Sequence, residues 1–252
     1  MTNHRHSGSA ASGGRFPVTR QSAITALKSA DQSARASAYD TVLACYWKPT
    51  YKLIRLKWQL PREAAEDLTQ GFFATAFEKK YFERYDPKVA RFHTFLQTCV
   101  ARYVANQRKY EHRLKRSGGV APLSLDFDVA EEELAGYQMP AGLSMDEYLY
   151  REWIKSLLSI AIETLRQESA ERGRLVHFSL FERYDLSSDK DAEVTYQSLA
   201  TELGLTATTV TNYLASIRRD FRRIVLDHLR TLTASDAEFR DEARHLLGIE
   251  IE

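Results

Sequence analysis

The 252-residue chain predicts an all-α protein of two small helical domains joined by an acidic linker. Three observations predict it. Apolar residues recur at helical spacing in every segment that has a pattern. Glycine and proline clusters fall between those segments. Charge runs basic, acidic, basic along the chain: eight Lys or Arg against Glu111 alone over 88–116, eight acids against Arg151 alone over 126–152, and basic again over 218–230. The near-neutral net charge of +1 therefore hides two positive modules, a layout that suits two contact surfaces for a polyanion.

Residues 1–15 are rich in Ser, Gly and Ala and read as a disordered tail. They contain no apolar core of a secretory signal, and no later run approaches the ~20 apolar residues of a membrane span. His4 and His6 lie in this tail, where two histidines make a poor metal site. Cys45 and Cys99 each sit in an apolar pattern and read as buried thiols of a cytoplasmic protein rather than a disulfide or metal pair.

The first domain is expected over 16–116. Thr19 to Lys28 reads as helix. Tyr39, Val42, Leu43, Tyr46, Tyr51, Ile54 and Trp58 predict a second helix interrupted at Pro49. Pro61 is placed to open a third, in the first-turn position proline favours. Glu63, Glu66 and Asp67 follow near the positive end of the helix dipole. Leu68, Phe72 and Ala76 form its stripe, widened by Phe73 and Phe77. Asp86-Pro87 marks a loop. From Arg91 a long helix runs to about Lys115, with Phe92, Phe95, Leu96, Cys99 and Tyr103 inward and Gln97, Arg102, Asn106, Lys109 and Arg113 outward. Aromatics interleaved with bases could stack on unpaired nucleotides. The same aromatics are at core spacing, and at least two of Phe92, Phe95 and Tyr103 are expected in the core.

Ser117-Gly118-Gly119 ends that helix. Residues 117–143 read as a flexible acidic linker, with Pro122, Pro140, Gly136, Gly142 and Glu131-Glu132-Glu133. Fully extended it spans ~90 Å at ~3.3 Å per residue. That exceeds the ~34 Å of one DNA turn.

The second domain is expected over 144–232. Ser144 and Glu147 form a capping box, and Leu149, Trp153, Leu157, Ala161 and Leu165 mark the helix beyond. Gly173 breaks the pattern. Leu175 to Tyr184 reads as a short helix and Ser187 to Asp191 as a loop. Over 195–223 come a short helix (Tyr196, Leu199, Ala200, Leu203), a turn at Gly204, a cap at Thr206 and a longer helix with Val210, Leu214, Ile217, Phe221 and Ile224 buried. Its outer face carries Thr208, Asn212, Ala215, Arg219, Arg222 and Arg223. Small polar residues followed by arginines suit a major groove, base edges first and phosphates after. An ordinary αα-hairpin with a solvated arginine face fits the same pattern. Ser235 and Glu238 read as another capping box, starting an extra C-terminal helix (Phe239, Ala243, Leu246) within 233–252. No phosphate loop, zinc-protease motif, paired-cysteine pattern or nucleophile elbow is present, so no enzyme, metal or cofactor is expected.

Two blocks carry a resemblance. Ala65-Glu66-Asp67-Leu68-Thr69-Gln70-Gly71-Phe72-Phe73 is followed by Arg91-Phe92-His93-Thr94-Phe95-Leu96 and the basic helix through Arg116. Tyr196 to Arg223 is the second block. In this order, joined by an acidic linker, they resemble the second and fourth regions of a bacterial sigma factor of the extracytoplasmic-function (ECF) type, in the sigma-70 family. Phe16-Pro17-Val18-Thr19-Arg20 and Leu143 to Trp153 resemble one subgroup of it.

The resemblance implies a subunit that confers promoter specificity on RNA polymerase and breaks no bond itself. Asp67 and Gln70 would lie on the β′ clamp helices, and the β flap would be a further polymerase contact. Arg91, Arg102, Asn106, Lys109 and Arg113 would bind and help melt the −10 element. Thr208, Thr209, Thr211, Asn212 and Arg219 would read the −35 element, with Arg218, Arg222 and Arg223 on phosphates. The resemblance leaves open an anti-sigma factor as a further partner. Two positions depart: Gly71 stands where the family usually has an acid, and Thr211 where a base is common. The final helix lies beyond the usual fourth region and either regulates or covers the module's apolar side. The alternative reading is a stand-alone helix-turn-helix regulator without polymerase binding.

Overall fold

The computed structural model describes residues 22–111, 123, 125–187 and 195–248. Among these residues the chain is all-helical, with ten α-helices and no strand. None of these helices is long and apolar enough to cross a membrane. The expectations for the tail, for Phe16–Arg20, for Arg113 and the glycine pair after it, and for most of the 187–191 loop lie outside the described residues.

Helix α1 (Ala23–Ala26) is a single turn capped by Ser22. Helix α2 (Gln32–Trp58) is the axis of the first half. It runs straight through Pro49, where the sequence predicts an interruption. A proline removes one helical hydrogen bond and crowds the preceding turn. Here Tyr46, Thr50, Tyr51, Leu53 and Ile54 are all buried around it, so packing on both sides keeps the helix continuous. Pro61 is the N-cap of α3 (Arg62–Glu78) rather than its first residue. Beyond a 3₁₀ turn at Tyr81–Arg84 comes α4 (Phe92–Glu111).

The acidic stretch expected to be a flexible linker holds a helix, α5 (Phe127–Leu134). Phe127 and Ala130 are buried, with Phe127 edge-on to Trp47 at 5.5 Å. The acids that follow face a row of bases on α2. Glu131 accepts from Arg55 at 2.6 and 3.0 Å and from Tyr51, and Glu133 pairs with Lys48 at 2.9 Å and with Lys52. The Arg55 guanidinium holds the Glu131 carboxyl below its ordinary range. Composition alone reads this segment as solvated. The complementary row at 48, 52 and 55 docks it.

Helix α6 (Met145–Glu171) begins at the Ser144–Glu147 capping box, as the spacing predicts. Its 27 residues extend about 40 Å. Leu149, Trp153 and Leu157 pack with α1–α5 in one core, while Ala161 and Leu165 pack in a second core. Lys52, 2 % exposed, reaches from α2 to Glu152 of α6 at 2.5 Å, and Lys155 approaches the same carboxylate at 2.6 Å. Helix α7 (Leu175–Phe181) continues into a π-helical turn, and α8 (Tyr196–Leu203) and α9 (Ala207–Thr231) complete the second core with Val210, Leu214, Ile217, Ile224 and Val225.

The far end of α9 returns to the first core through Leu229. Leu232 follows, and α10 (Asp236–Leu247) adds Phe239 and Ala243. The two cores are thus bridged by α6 and α9, each of which contributes residues to both. The capping box expected at Ser235 forms only in part. Ser235 caps Glu238 N, but the Glu238 carboxylate accepts from Ala234 N at 2.7 Å and from the Tyr85 hydroxyl at 2.8 Å. The extra helix therefore packs on the first core through Phe239 and Ala243, and its end packs against the second core through Leu246 and Leu247.

Candidate nucleic-acid interface

The helix-turn-helix follows from local signals. Thr195 caps α8 with Ser198 in reciprocal hydrogen bonds. Gly204 ends α8 at φ 64°, a left-handed conformation that glycine adopts without a steric penalty. Leu205 N then donates back to Ala200 O at 2.8 Å, closing the helix end. Thr206 accepts from Thr209 N at 3.1 Å and starts α9. Val210, Leu214, Ile217 and Ile224 are buried as the spacing predicts, and Phe221 is half-buried.

The opposite face of α9 is open. Thr208, Thr211, Asn212, Arg219 and Arg222 are exposed. Thr208, Asn212, Arg219 and Arg222 follow one helical stripe of about 21 Å, and none of their side chains bonds another described residue. Thr211 turns its hydroxyl back to Ala207 O at 2.9 Å, and Thr209 shares its hydroxyl with Thr206 at 2.8 Å. Of the expected readers, Thr208, Asn212 and Arg219 present free polar groups.

Arg218 and Arg223 are placed differently from Arg219 and Arg222. Arg218 forms a fork on Asp185 at 2.8 and 3.0 Å, donates to the Tyr196 hydroxyl at 3.3 Å, and lies over the Tyr184 ring. These bonds, Asp185 foremost, push its pKa up. Arg223 binds Glu168 of α6 at 2.6 Å and Asp227 at 3.3 Å. Both arginines, expected on phosphates, hold α9 against its neighbours. Arg174 does the same from below, binding Asp220 at 3.0 Å and Ser216 at 2.7 Å.

On the first half, Arg102, Asn106 and Lys109 form one exposed stripe of α4, with no ion pair among the described residues. Phe92 and Tyr103 are buried and Phe95 is half-buried, so the aromatics of α4 belong to the core. Asp67 is exposed on α3 and Gln70 half-buried one turn on. The departure at Gly71 has a packing cause. A Cβ there would collide with the Tyr103 hydroxyl, so the end of that side chain would have to shift to admit a larger residue.

Arg91 precedes α4 and is not free. It donates to Asp241 and lies 3.4 Å from Glu242, both on α10. Tyr150 donates to the same Glu242 at 2.8 Å. Burial pushes the Glu242 carboxyl above its ordinary range. Neither acid stands out in the sequence, since periodicity assigns a residue to a face but not to a partner. Cys45 is buried and Cys99 half-buried, and both are free thiols. Among the described residues no group of His, Cys, Asp and Glu side chains is placed to hold a metal ion.

The geometry offers two separate cationic helix faces, one on α4 and one on α9, each flanked by arginines spent on internal contacts. In comparisons with protein-family profiles, curated proteins and solved structures, the chain matches none.

Proposed function

We propose that the chain is a sigma-type subunit that binds bacterial RNA polymerase core, recognises −10 and −35 promoter DNA and enables transcription initiation. The observation that carries the reading is the open stripe of α9, with Thr208 and Asn212 at its slim end and Arg219 and Arg222 beyond. Such a stripe sets short polar groups at base edges and guanidiniums at phosphates. The second open stripe, Arg102, Asn106 and Lys109, supports a second DNA contact and favours a two-handed protein. Asp67 and Gln70 are accessible for the polymerase contact. Melting would draw on binding energy, since capture of an unpaired base offsets the few kcal/mol of unstacking.

The other reading is a stand-alone helix-turn-helix regulator, which the α9 stripe alone would serve. Co-elution with core polymerase separates the two. The sigma reading predicts a stable complex that Asp67→Ala/Gln70→Ala abolishes. A chain that never joins core enzyme, yet binds duplex DNA with a steep salt dependence, is the regulator.

A further inference from the structure

We propose that α10 is an intramolecular latch whose Asp241–Glu242 pair occupies Arg91 in place of a DNA phosphate, closing one end of the −10 surface in the free chain. The proposal rests on the reading of α4 as a DNA-binding face. Arg91 stands at the start of that face, 11 residues and about 17 Å before Arg102 on the same side. Its guanidinium donates to Asp241 and lies 3.4 Å from Glu242. Two carboxylates thus sit where a phosphate would have to sit, and like charges exclude one another. Arg102 and Lys109, farther along, have no acid on them.

The latch has anchors that do not involve Arg91. Phe239 and Ala243 are buried in the first core, Arg230 lies 4.1 Å over the Phe239 ring, Glu238 receives the Tyr85 hydroxyl, and Glu242 receives that of Tyr150. Apolar burial holds the helix down while Asp241 and Glu242 select the residue it blocks. The Arg91–Asp241 bond itself is partly exposed, and such pairs are weak and salt-screened. A polyanion that binds the rest of α4 can therefore compete for Arg91 without unfolding the core.

A thermodynamic cycle on the full chain tests this, with a short duplex containing an unpaired thymidine bubble as probe. Asp241→Asn/Glu242→Gln keeps both side-chain volumes and the Tyr150 contact, and circular dichroism checks that the fold persists. Freeing Arg91 should steepen the salt dependence of binding by about one phosphate, a change of about 0.7–0.9 in log–log slope. Arg91→Ala should cost clearly less affinity in the native background than in the Asn/Gln background, where it removes the added slope. Equal loss on Arg91→Ala in both backgrounds means Arg91 is already available and overturns the latch. Indifference to Arg91 in both backgrounds, with a loss on Arg102→Ala or Lys109→Ala, overturns the latch but not the DNA-binding reading. Indifference to all three overturns both.

Discussion

Arg91 and Glu242, far apart in the sequence, meet at 3.4 Å across the interface between α4 and α10, and Tyr150 of α6 donates to the same carboxylate at 2.8 Å. Three helices thus converge on one buried acid. Truncating the donor leaves that acid under-satisfied. Tyr150→Phe should destabilise the chain by about 1–3 kcal/mol, read as a lower urea midpoint. Glu242→Gln, which still accepts from Tyr150, should lose less.

Gly71 and Tyr103 form a testable pair. Gly71→Ala adds a methyl group against the Tyr103 hydroxyl, and overpacking of this kind costs about 1–3 kcal/mol. Without that hydroxyl the nearest ring carbon is 3.6 Å away, an ordinary contact. Gly71→Ala should therefore destabilise the native chain. In a Tyr103→Phe background it should stabilise by up to about 1 kcal/mol, because alanine is the better helix former. Denaturant titrations of the four chains give the coupling directly.

Lys52 and Glu152 are both almost fully buried, with their charges 2.5 Å apart. Breaking one side of such a pair costs about 3–5 kcal/mol, whereas replacing both with apolar side chains is often nearly neutral. Lys52→Met should be severe, since it leaves the buried Glu152 carboxylate with only the largely exposed Lys155 as a cation. Lys52→Met/Glu152→Met should recover most of the loss in the same titration.

His93 is buried against Tyr150 and Trp153, and burial, helped by the nearby Arg91 charge, lowers its pKa from 6.5 to about 4. Between those values the unfolded chain binds a proton that the folded chain refuses, so stability rises with pH there and falls on acidification. The loss is on the order of 3 kcal/mol across the window. His177 and His228, also lowered by burial, act in the same direction. His93→Gln should remove about 2 kcal/mol of the stability difference between about pH 7 and about pH 5. An unchanged difference would show that His93 does not titrate this way.

What the sequence reveals is mostly local. The Ser144 and Thr206 caps, the turn at Gly204 and the stripe from Val210 to Ile224 depend on neighbours within a few positions, and all are legible. The continuity of α2 through Pro49 is not, because it depends on packing around Tyr46 and Tyr51. The docking of α5 is hidden for a similar reason: Glu131 and Glu133 read as solvated until Arg55, Lys48 and Lys52 are placed opposite them. At the candidate site, the sequence identifies the basic faces but cannot separate free arginines from engaged ones. Arg218 and Arg223 differ from Arg219 and Arg222 through partners on distant or neighbouring turns, chiefly Asp185, Glu168 and Asp227.

The central claim is tested most directly by in vitro transcription with bacterial core polymerase over a library of genomic fragments, with start sites mapped. The sigma reading predicts initiation at a defined set of sites only when the chain is added, sharing two upstream elements at constant spacing. It also predicts loss of those starts with Asp67→Ala/Gln70→Ala and reduced use with Asn212→Ala/Arg219→Ala. Transcription by core enzyme that is unchanged by the chain would contradict it.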